Sequence, residues 1–104
     1  MTYVDVPEAK ALNPGEMSGV TVSGVPLCIG RRADGRLFAL GNICSHEDAL
    51  LSDGWLEGDE VECPRHNSIF DVETGGANSL PATDPVPVYA VKEDGGGVMV
   101  DVEP

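Results

Sequence analysis

The chain has few basic residues for its length. Its 104 residues include only 6 Lys and Arg against 18 Asp and Glu, so the formal net charge is −12. Nucleic acids and anionic membrane surfaces are themselves negatively charged, and this imbalance argues against both as partners. The acidic residues keep the chain soluble, and they favour a basic protein surface as the partner.

Long apolar runs are also missing. No segment approaches the ~20 apolar residues that cross a bilayer, and the first ten residues, MTYVDVPEAK, lack the basic and apolar regions of a secretory signal. The chain has 3 cysteines, and an odd number argues against a disulfide framework. We therefore expect a cytoplasmic protein whose cysteines serve another purpose.

No segment sustains an apolar helical period, whereas short strand-like segments separated by turns recur along the chain. The 13 glycines and 8 prolines mark many of these turns. The pattern predicts one helical turn at Pro7–Leu12 and a hairpin turn at Asp34-Gly35. Strands are predicted at residues 2–6, 20–22, 25–29, 37–40, 55–56, 61–63, 68–72, 88–91 and 98–102. We expect an all-β, antiparallel fold in a single domain, residues 1–104.

Both histidines and two of the three cysteines fall in one pattern. The pattern reads Cys44-x-His46, then sixteen residues, then Cys63-x-x-His66. Thiolate is a soft anionic ligand and imidazole a neutral one, and together they can hold a metal centre. Both pairs lie at loops beside predicted strands, Cys44-His46 after the strand that contains Phe38 and Cys63-His66 at the end of the strand that contains Val61. Two adjacent loops could therefore present four ligands to one point.

The spacing leaves two kinds of metal centre open. Structural zinc sites usually take two cysteines from one loop and two histidines from a helix. Here each loop carries one of each and no helix follows, which weakens the zinc interpretation. In a binuclear iron–sulfur centre, each loop could give its thiolate to one iron and its imidazole to the other.

The segment from Asn42 to Asp71 resembles the cluster-binding motif of the Rieske family. In detail it is similar to the small ferredoxins of bacterial Rieske non-haem iron oxygenases, including aromatic-ring-hydroxylating dioxygenases. The segment LPATDPVPVY, residues 80–89, is similar to the proline-rich loop that covers the cluster in that family. The resemblance implies a Rieske fold of small antiparallel sheets, with a cluster-binding subdomain of two loops at about 42–71 and the proline-rich loop at about 80–87.

The resemblance also implies the cofactor and the function. It implies one [2Fe-2S] cluster per chain, with Cys44 and Cys63 on one iron and His46 and His66 on the other. The chain would be a soluble, monomeric one-electron carrier from a ferredoxin reductase to a terminal oxygenase, and not itself an enzyme. Its acidic residues would steer transient, salt-sensitive encounters with both partners. The alternatives are a structural zinc-binding β domain and a Rieske-like electron-transfer subunit of another oxidoreductase.

Several residues depart from the pattern of the respiratory and photosynthetic Rieske proteins. Ala49 and Arg65 stand where those proteins carry a disulfide, and Phe70 stands where they carry a tyrosine that donates to a cysteine sulfur. The loss of this donor predicts a reduction potential in the lower part of the Rieske range, although Ser68, at the position of a donor to a bridging sulfide, would raise it. Asn67 occupies a common glycine position, and asparagine tolerates positive φ.

The remaining side chains of interest have ordinary structural interpretations. Leu50, Trp55 and Phe70 are expected to pack in the core, because large apolar side chains are usually buried there. Cys28 is expected to be a buried strand cysteine and not a ligand. Arg65 could tune the cluster, contact a partner or simply be solvated.

Overall fold

The computed structural model describes residues 3–45, 49–65, 67–78 and 84–102. It confirms the all-β prediction, with ten strands in three small antiparallel sheets. The strands are β1 Tyr3–Asp5, β2 Met17–Val22, β3 Val25–Arg31, β4 Leu37–Gly41, β5 Trp55–Glu57, β6 Glu60–Glu62, β7 Ile69–Asp71, β8 Val88–Tyr89, β9 Val91–Asp94 and β10 Gly97–Asp101. Two 3₁₀ helices, Pro7–Ala11 and Leu51–Asp53, complete the regular structure of these ranges. Within the described ranges, no helix is long and apolar enough to cross a membrane.

The four-stranded sheet β2-β3-β4-β8 is buried on both faces of its centre. Successive side chains of a strand point to opposite faces, so β3 and β4 contribute to two separate cores. Cys28 and Leu40 join one buried cluster, and Leu27, Ile29 and Ala39 join the other. The central sheet therefore links two halves of the molecule. One half contains Cys44, Cys63 and the β5-β6-β7 sheet and is called here the cysteine-bearing half; the other is built around β1-β10-β9.

The sheet β5-β6-β7 forms a compact unit that carries the second cysteine loop. Its first hairpin turns at Gly58, which has φ 58°, between the register pair Glu57 and Glu60. Gly54 precedes β5, and a Cβ added there would lie 1.8 Å from the Glu62 carbonyl oxygen. Only glycine permits this close approach of the chain to β6.

One predicted strand is divided in the structure. Residues 88–91 were expected to form a single strand of the last hairpin, but Val88–Tyr89 pairs with β4 and Val91–Asp94 pairs with β10. Ala90 lies at the crossing, where its carbonyl accepts the Asp101 amide at 2.9 Å. The chain changes sheet at this point, because its alternating pattern suits pairing in either sheet.

The prediction that Leu50, Trp55 and Phe70 pack in the core is wrong for two of these three residues. Phe70 is fully buried, as expected, but Trp55 is 52% exposed and Leu50 is 41% exposed. Alternation along the chain explains both cases: the neighbouring Leu56 packs against the core instead of Trp55, and Ala49 is buried instead of Leu50. Apolar character alone did not say which face each side chain would occupy.

Candidate metal centre

The first cysteine loop follows β4 and is closed by a short ladder of backbone pairs. Asn42 begins the ladder, since its carbonyl accepts the Leu51 amide at 2.8 Å, and its side chain bonds both the amide and the hydroxyl of Ser52. Ile43 and Leu50 then form an isolated antiparallel bridge. The Cys44 amide donates to the Ala49 carbonyl at 2.9 Å, which completes the closure.

The second cysteine loop connects β6 to β7 and closes in the same way. Glu62 pairs with Ile69, and the Cys63 amide donates to the Ser68 carbonyl at 2.8 Å. Asn67, inside this loop, has φ 57°, which confirms that asparagine supplies the left-handed conformation expected of it.

The two loops are therefore equivalent in construction. In each, a cysteine amide donates to the carbonyl five residues further along the chain. Cys44 is 4% exposed and Cys63 is fully buried, and both belong to one buried cluster with Phe70 and Val61. The fold brings together two thiols that are nineteen positions apart in the sequence.

His46 and His66 lie outside the described residues. The described part of the chain by itself contains no group of three or more His, Cys, Asp or Glu side chains able to hold a metal ion. Ligation by all four residues therefore stays a prediction. Both histidines fall, in sequence, inside the loops that the Cys44 and Cys63 amides close.

The donor set present in the described residues suits an iron–sulfur cluster. All three cysteines are free, and thiolates are the ligands that hold such clusters. A buried thiolate is unfavourable unless a metal or another charge compensates it. Cys28 shows the uncompensated case, because burial raises the pKa of its thiol from 9.0 to about 12, and it stays a neutral thiol.

The end of the proline-rich segment is fastened beside the first loop. The Ser45 hydroxyl donates to the Asp84 carbonyl at 2.5 Å, and the Gly41 amide donates to the Pro87 carbonyl at 2.8 Å. On the other side, the Val86 amide donates to the Gly75 carbonyl at 2.9 Å. Residues 84–87, the part of the predicted proline-rich loop that is described, are thus held at three points; residues 80–83 lie outside the described ranges.

The sequence did not single out Ser45 or Asn42, which hold the first cysteine loop, or Arg32, which pairs with acidic residues of the β5-β6-β7 unit. Ser45 and Asn42 stand next to the motif, and small polar residues at loop ends are a weak general signal for such bonds. Arg32 had no local signal, since its acidic partners Asp59 and Glu73 are distant in sequence.

Tertiary structure divides the acidic residues of the cysteine-bearing half into two groups. Asp59 and Glu73 pair with Arg32, and Glu60 accepts a bond from the Asn78 side chain at 3.0 Å. In a second group the side-chain carboxylates make no hydrogen bond or ion pair within the described part of the chain; these residues are Asp53, Glu57, Glu62 and Asp84. This second group remains available to attract a partner.

Comparison with known proteins agrees with this geometry. The model of the Rieske [2Fe-2S] domain matches residues 2–90. The ferredoxin component of the naphthalene 1,2-dioxygenase system of Pseudomonas aeruginosa is 40% identical over 100 residues, which cover 96% of this chain and 95% of that protein.

Two solved structures extend the likeness to the fold. The ferredoxin of carbazole 1,9a-dioxygenase from Nocardioides aromaticivorans IC177 has a TM-score of 0.88 at 36% identity, covering 96% of this chain and 97% of that one. A chain in the complex of reduced oxygenase and oxidized ferredoxin in carbazole 1,9a-dioxygenase has a TM-score of 0.86 at 36% identity, covering 94% of this chain and 91% of that one.

The all-β fold, the two loops with buried cysteines and the family match together define a small iron–sulfur protein. The chain belongs to the Rieske [2Fe-2S] domain family, which confirms the resemblance drawn from residues 42–71. It carries one [2Fe-2S] cluster, as its family and its ferredoxin relatives imply. This cofactor favours the binuclear interpretation of the motif over the zinc interpretation.

Proposed function

We propose that this chain is the ferredoxin of a Rieske non-haem iron dioxygenase system. It would accept one electron from a reductase and deliver it to the terminal oxygenase. The observation that carries the proposal is the near full-length likeness to a protein named as the ferredoxin component of such a system. The bound [2Fe-2S] cluster would supply reversible one-electron oxidation and reduction.

The proposed ligands are Cys44 and Cys63 on one iron and His46 and His66 on the other. The equivalent closure of the two loops supports this division, because each loop holds its cysteine in the same backbone setting. Both cysteines point into a buried apolar cluster, so the thiolate end of the site is shielded from water. The histidines would then stand at the outer end, where electrons enter and leave.

The proposed domain organisation is a single Rieske domain, residues 1–104. Residues at about 42–71 would form the cluster-binding subdomain, and those at about 80–87 would form the covering loop. The separate β5-β6-β7 sheet and the three bonds that fasten residues 84–87 support this organisation.

The proposed partners are a ferredoxin reductase and a terminal oxygenase, both met transiently by a monomeric chain in the cytoplasm. The net charge of −12 and the available acidic residues support electrostatic steering toward basic surfaces. The same charge disfavours nucleic acid and anionic membrane as partners. Three cysteines without a disulfide fit a reducing compartment.

Two measurements test the proposal. The reduced protein should give the rhombic EPR signal of mixed Cys and His ligation. It should be recovered without that signal after anaerobic mixing with, and separation from, an oxidised terminal oxygenase of a naphthalene or carbazole dioxygenase system. Because screening weakens interactions between exposed charges, the second-order rate should fall about tenfold between roughly 0.05 and 0.5 M salt.

Contrary outcomes bear on different parts of the proposal. A protein that binds one zinc and shows no EPR signal on reduction would contradict the cofactor and the ligands. A reduced protein with the expected signal that passes no electron to either oxygenase would contradict the function. A rate that does not change with salt would remove only the electrostatic steering.

A further inference from the structure

A surface depression of about 500 Å³ lies between the two cysteine loops. Residues in or next to both loops contribute to its wall, and so does Asp53 of the 3₁₀ helix at Leu51–Asp53. We call this depression the loop groove; it is lined by Ile43, Ala49, Leu50, Asp53, Pro64 and Arg65. Its residues include the immediate chain neighbours of Cys44 and Cys63, so whatever binds there comes close to the site.

The wall of the loop groove contains an exposed pair of branched aliphatic side chains. Ile43 is 45% exposed and Leu50 is 41% exposed, and they are partners across the isolated bridge. They are two of the four large apolar side chains that are exposed within the described ranges. Adjacent exposed aliphatic side chains in a concave setting favour contact with another molecule, because binding removes them from water.

The loop groove also carries one charge of each sign. Asp53 and Arg65 both line it, yet no ion pair within 4 Å joins them in the described part of the chain. Arg65 is the only basic residue between positions 37 and 91. A groove with an aliphatic wall and separate acidic and basic groups offers a partner a defined orientation.

We propose that the loop groove is a docking site for the terminal oxygenase. The partner segment that fits it carries an apolar side chain for Ile43 and Leu50, a basic group for Asp53 and an acidic group for Arg65. This inference rests on the proposed function, which supplies the oxygenase as the partner. The surrounding unpaired acidic residues, such as Glu62, suit a partner whose surface is otherwise basic.

The chemistry of the groove also sets the strength of the contact. A small aliphatic centre surrounded by exposed charges matches the modest interfaces of transient electron-transfer complexes. The apolar centre would slow dissociation, and the charges would mainly govern the association rate and its dependence on salt. Substitutions of the two kinds should therefore be distinguishable by kinetics.

The test measures binding and electron delivery by four variants with their cluster in place. Ile43→Ser and Leu50→Ser should each raise the Kd for the oxygenase about tenfold, chiefly through faster dissociation. Asp53→Lys and Arg65→Glu should each raise it about fivefold, chiefly through slower association. The oxygenase used is whichever of the naphthalene and carbazole oxygenase components the unsubstituted protein reduces faster.

Two matched controls and two internal checks accompany these variants. Trp55→Ser removes another exposed apolar side chain that does not line the loop groove. Asp94→Lys makes the same charge change as Asp53→Lys at the end of β9, outside the groove. Each control should change the Kd less than twofold. The visible spectrum and the reduction potential of each variant show whether its cluster is intact. Ile43→Thr, which keeps the β-branched shape, replaces Ile43→Ser if that variant loses its cluster.

The outcomes separate this inference from the function on which it rests. An unsubstituted protein that delivers no electron to either oxygenase contradicts the proposed function. Normal delivery together with groove variants that bind as well as the two controls overturns the docking site. Variants that bind the reductase more weakly but the oxygenase normally would assign the groove to the reductase and overturn the proposal as stated.

Discussion

At the scale of single residues, the three cysteines show how position decides the chemistry of one side chain. Cys44 and Cys63 sit at the ends of closed loops, next to the positions of the two histidines. Cys28 lies in the middle of β3, where its S–H group contacts the Met17 sulfur at 3.7 Å. All three are buried, so burial alone does not distinguish a proposed ligand from a core cysteine.

The buried thiol of Cys28 predicts a dependence of stability on pH. Burial raises the pKa of this thiol from 9.0 to about 12, so the unfolded chain loses the proton at lower pH than the folded chain. The contribution to stability is complete below about pH 9 and is lost as pH rises from about 9 toward about 12. Between pH 8 and pH 10 the loss should be about 1.4 kcal/mol.

Urea unfolding of the unsubstituted protein and of Cys28→Ala at both pH values checks this prediction. The alanine variant lacks the titrating group, so its free energy of unfolding should decline less over this interval by that amount. The other ionisable groups are common to both proteins and cancel in the comparison. Equal declines in the two proteins would show that the Cys28 thiol ionises normally in the fold.

At the scale of elements, short connections hold the two cysteine loops in place. The hydroxyl of Ser45 donates to the Asp84 carbonyl, and this contact joins the first loop to residues 84–87. Gly54 lets the chain pass closely over β6 just before the second loop. Each of these contacts involves one residue whose replacement can be matched with a conservative control.

Replacement of Ser45 by alanine should loosen the attachment of residues 84–87 without unfolding the protein. A single neutral hydrogen bond contributes about 1 kcal/mol, so amide hydrogen exchange at Val86 and Gly41 should become about fivefold faster. Ser45→Thr keeps the hydroxyl and should exchange like the unsubstituted protein. Unchanged exchange at both amides in Ser45→Ala would mean that the other two bonds alone hold the segment.

Replacement of Gly54 by alanine should destabilise the protein strongly. A Cβ at this position would meet the Glu62 carbonyl oxygen at 1.8 Å, and the backbone must move to relieve the overlap. Chemical denaturation should show a loss of more than about 2 kcal/mol. Gly97→Ala is the control, because its Cβ would find its nearest neighbour at 3.6 Å; a similar loss in both variants would argue against a steric cause.

At the scale of the whole molecule, two adjacent arginines tie the central sheet to the units on either side. Arg31 makes a paired contact with Glu93 on β9 at 3.0 and 3.1 Å, which lowers the pKa of that carboxyl. Arg32 reaches the opposite way, to Asp59 in the β5–β6 turn and to Glu73 after β7. Alternation at the end of β3 sends the two side chains in opposite directions.

The Arg32 contacts predict how the cysteine-bearing half depends on the rest of the fold. Arg32 is buried, and its Nε has no hydrogen-bond partner among the described residues. The neighbouring carboxylates Asp59 and Glu73 therefore compensate its buried positive charge. Glu73→Gln should lower the free energy of unfolding by about 1 kcal/mol or somewhat more. Asp34→Asn disrupts the exposed pair with Arg36 and should have a much smaller effect, because solvent screens exposed pairs.

Denaturant unfolding at low and high salt checks this difference between the two pairs. The effect of Glu73→Gln should persist in high salt, because a mostly buried cation is poorly screened, whereas any effect of Asp34→Asn should vanish. If the two substitutions had equally small effects on the free energy of unfolding, and both effects were equally sensitive to salt, the Arg32–Glu73 contact would contribute no more than an exposed ion pair.

The sequence alone determined the kind of fold and the kind of cofactor. Period-two patterns and turn residues are local signals, so the all-β class, the Asp34-Gly35 hairpin and most strands could be predicted. The Cys and His spacing is local too, and with the Rieske resemblance it indicated a [2Fe-2S] cluster. Asn67 at positive φ followed from the same kind of local chemistry.

Tertiary structure decided which faces are buried and which charges are free. Leu50 and Trp55 proved exposed, and residues 88–91 proved divided between two sheets. The face that a side chain occupies and the strand with which a segment pairs both depend on segments distant in sequence. The same is true of Arg32, whose partners are 27 and 41 positions away, and of the loop groove, which exists only when both loops are folded. Local patterns in the sequence carry the strand and turn signals and the proposed ligand motif, whereas the proposed docking groove arises from contacts that no short segment contains.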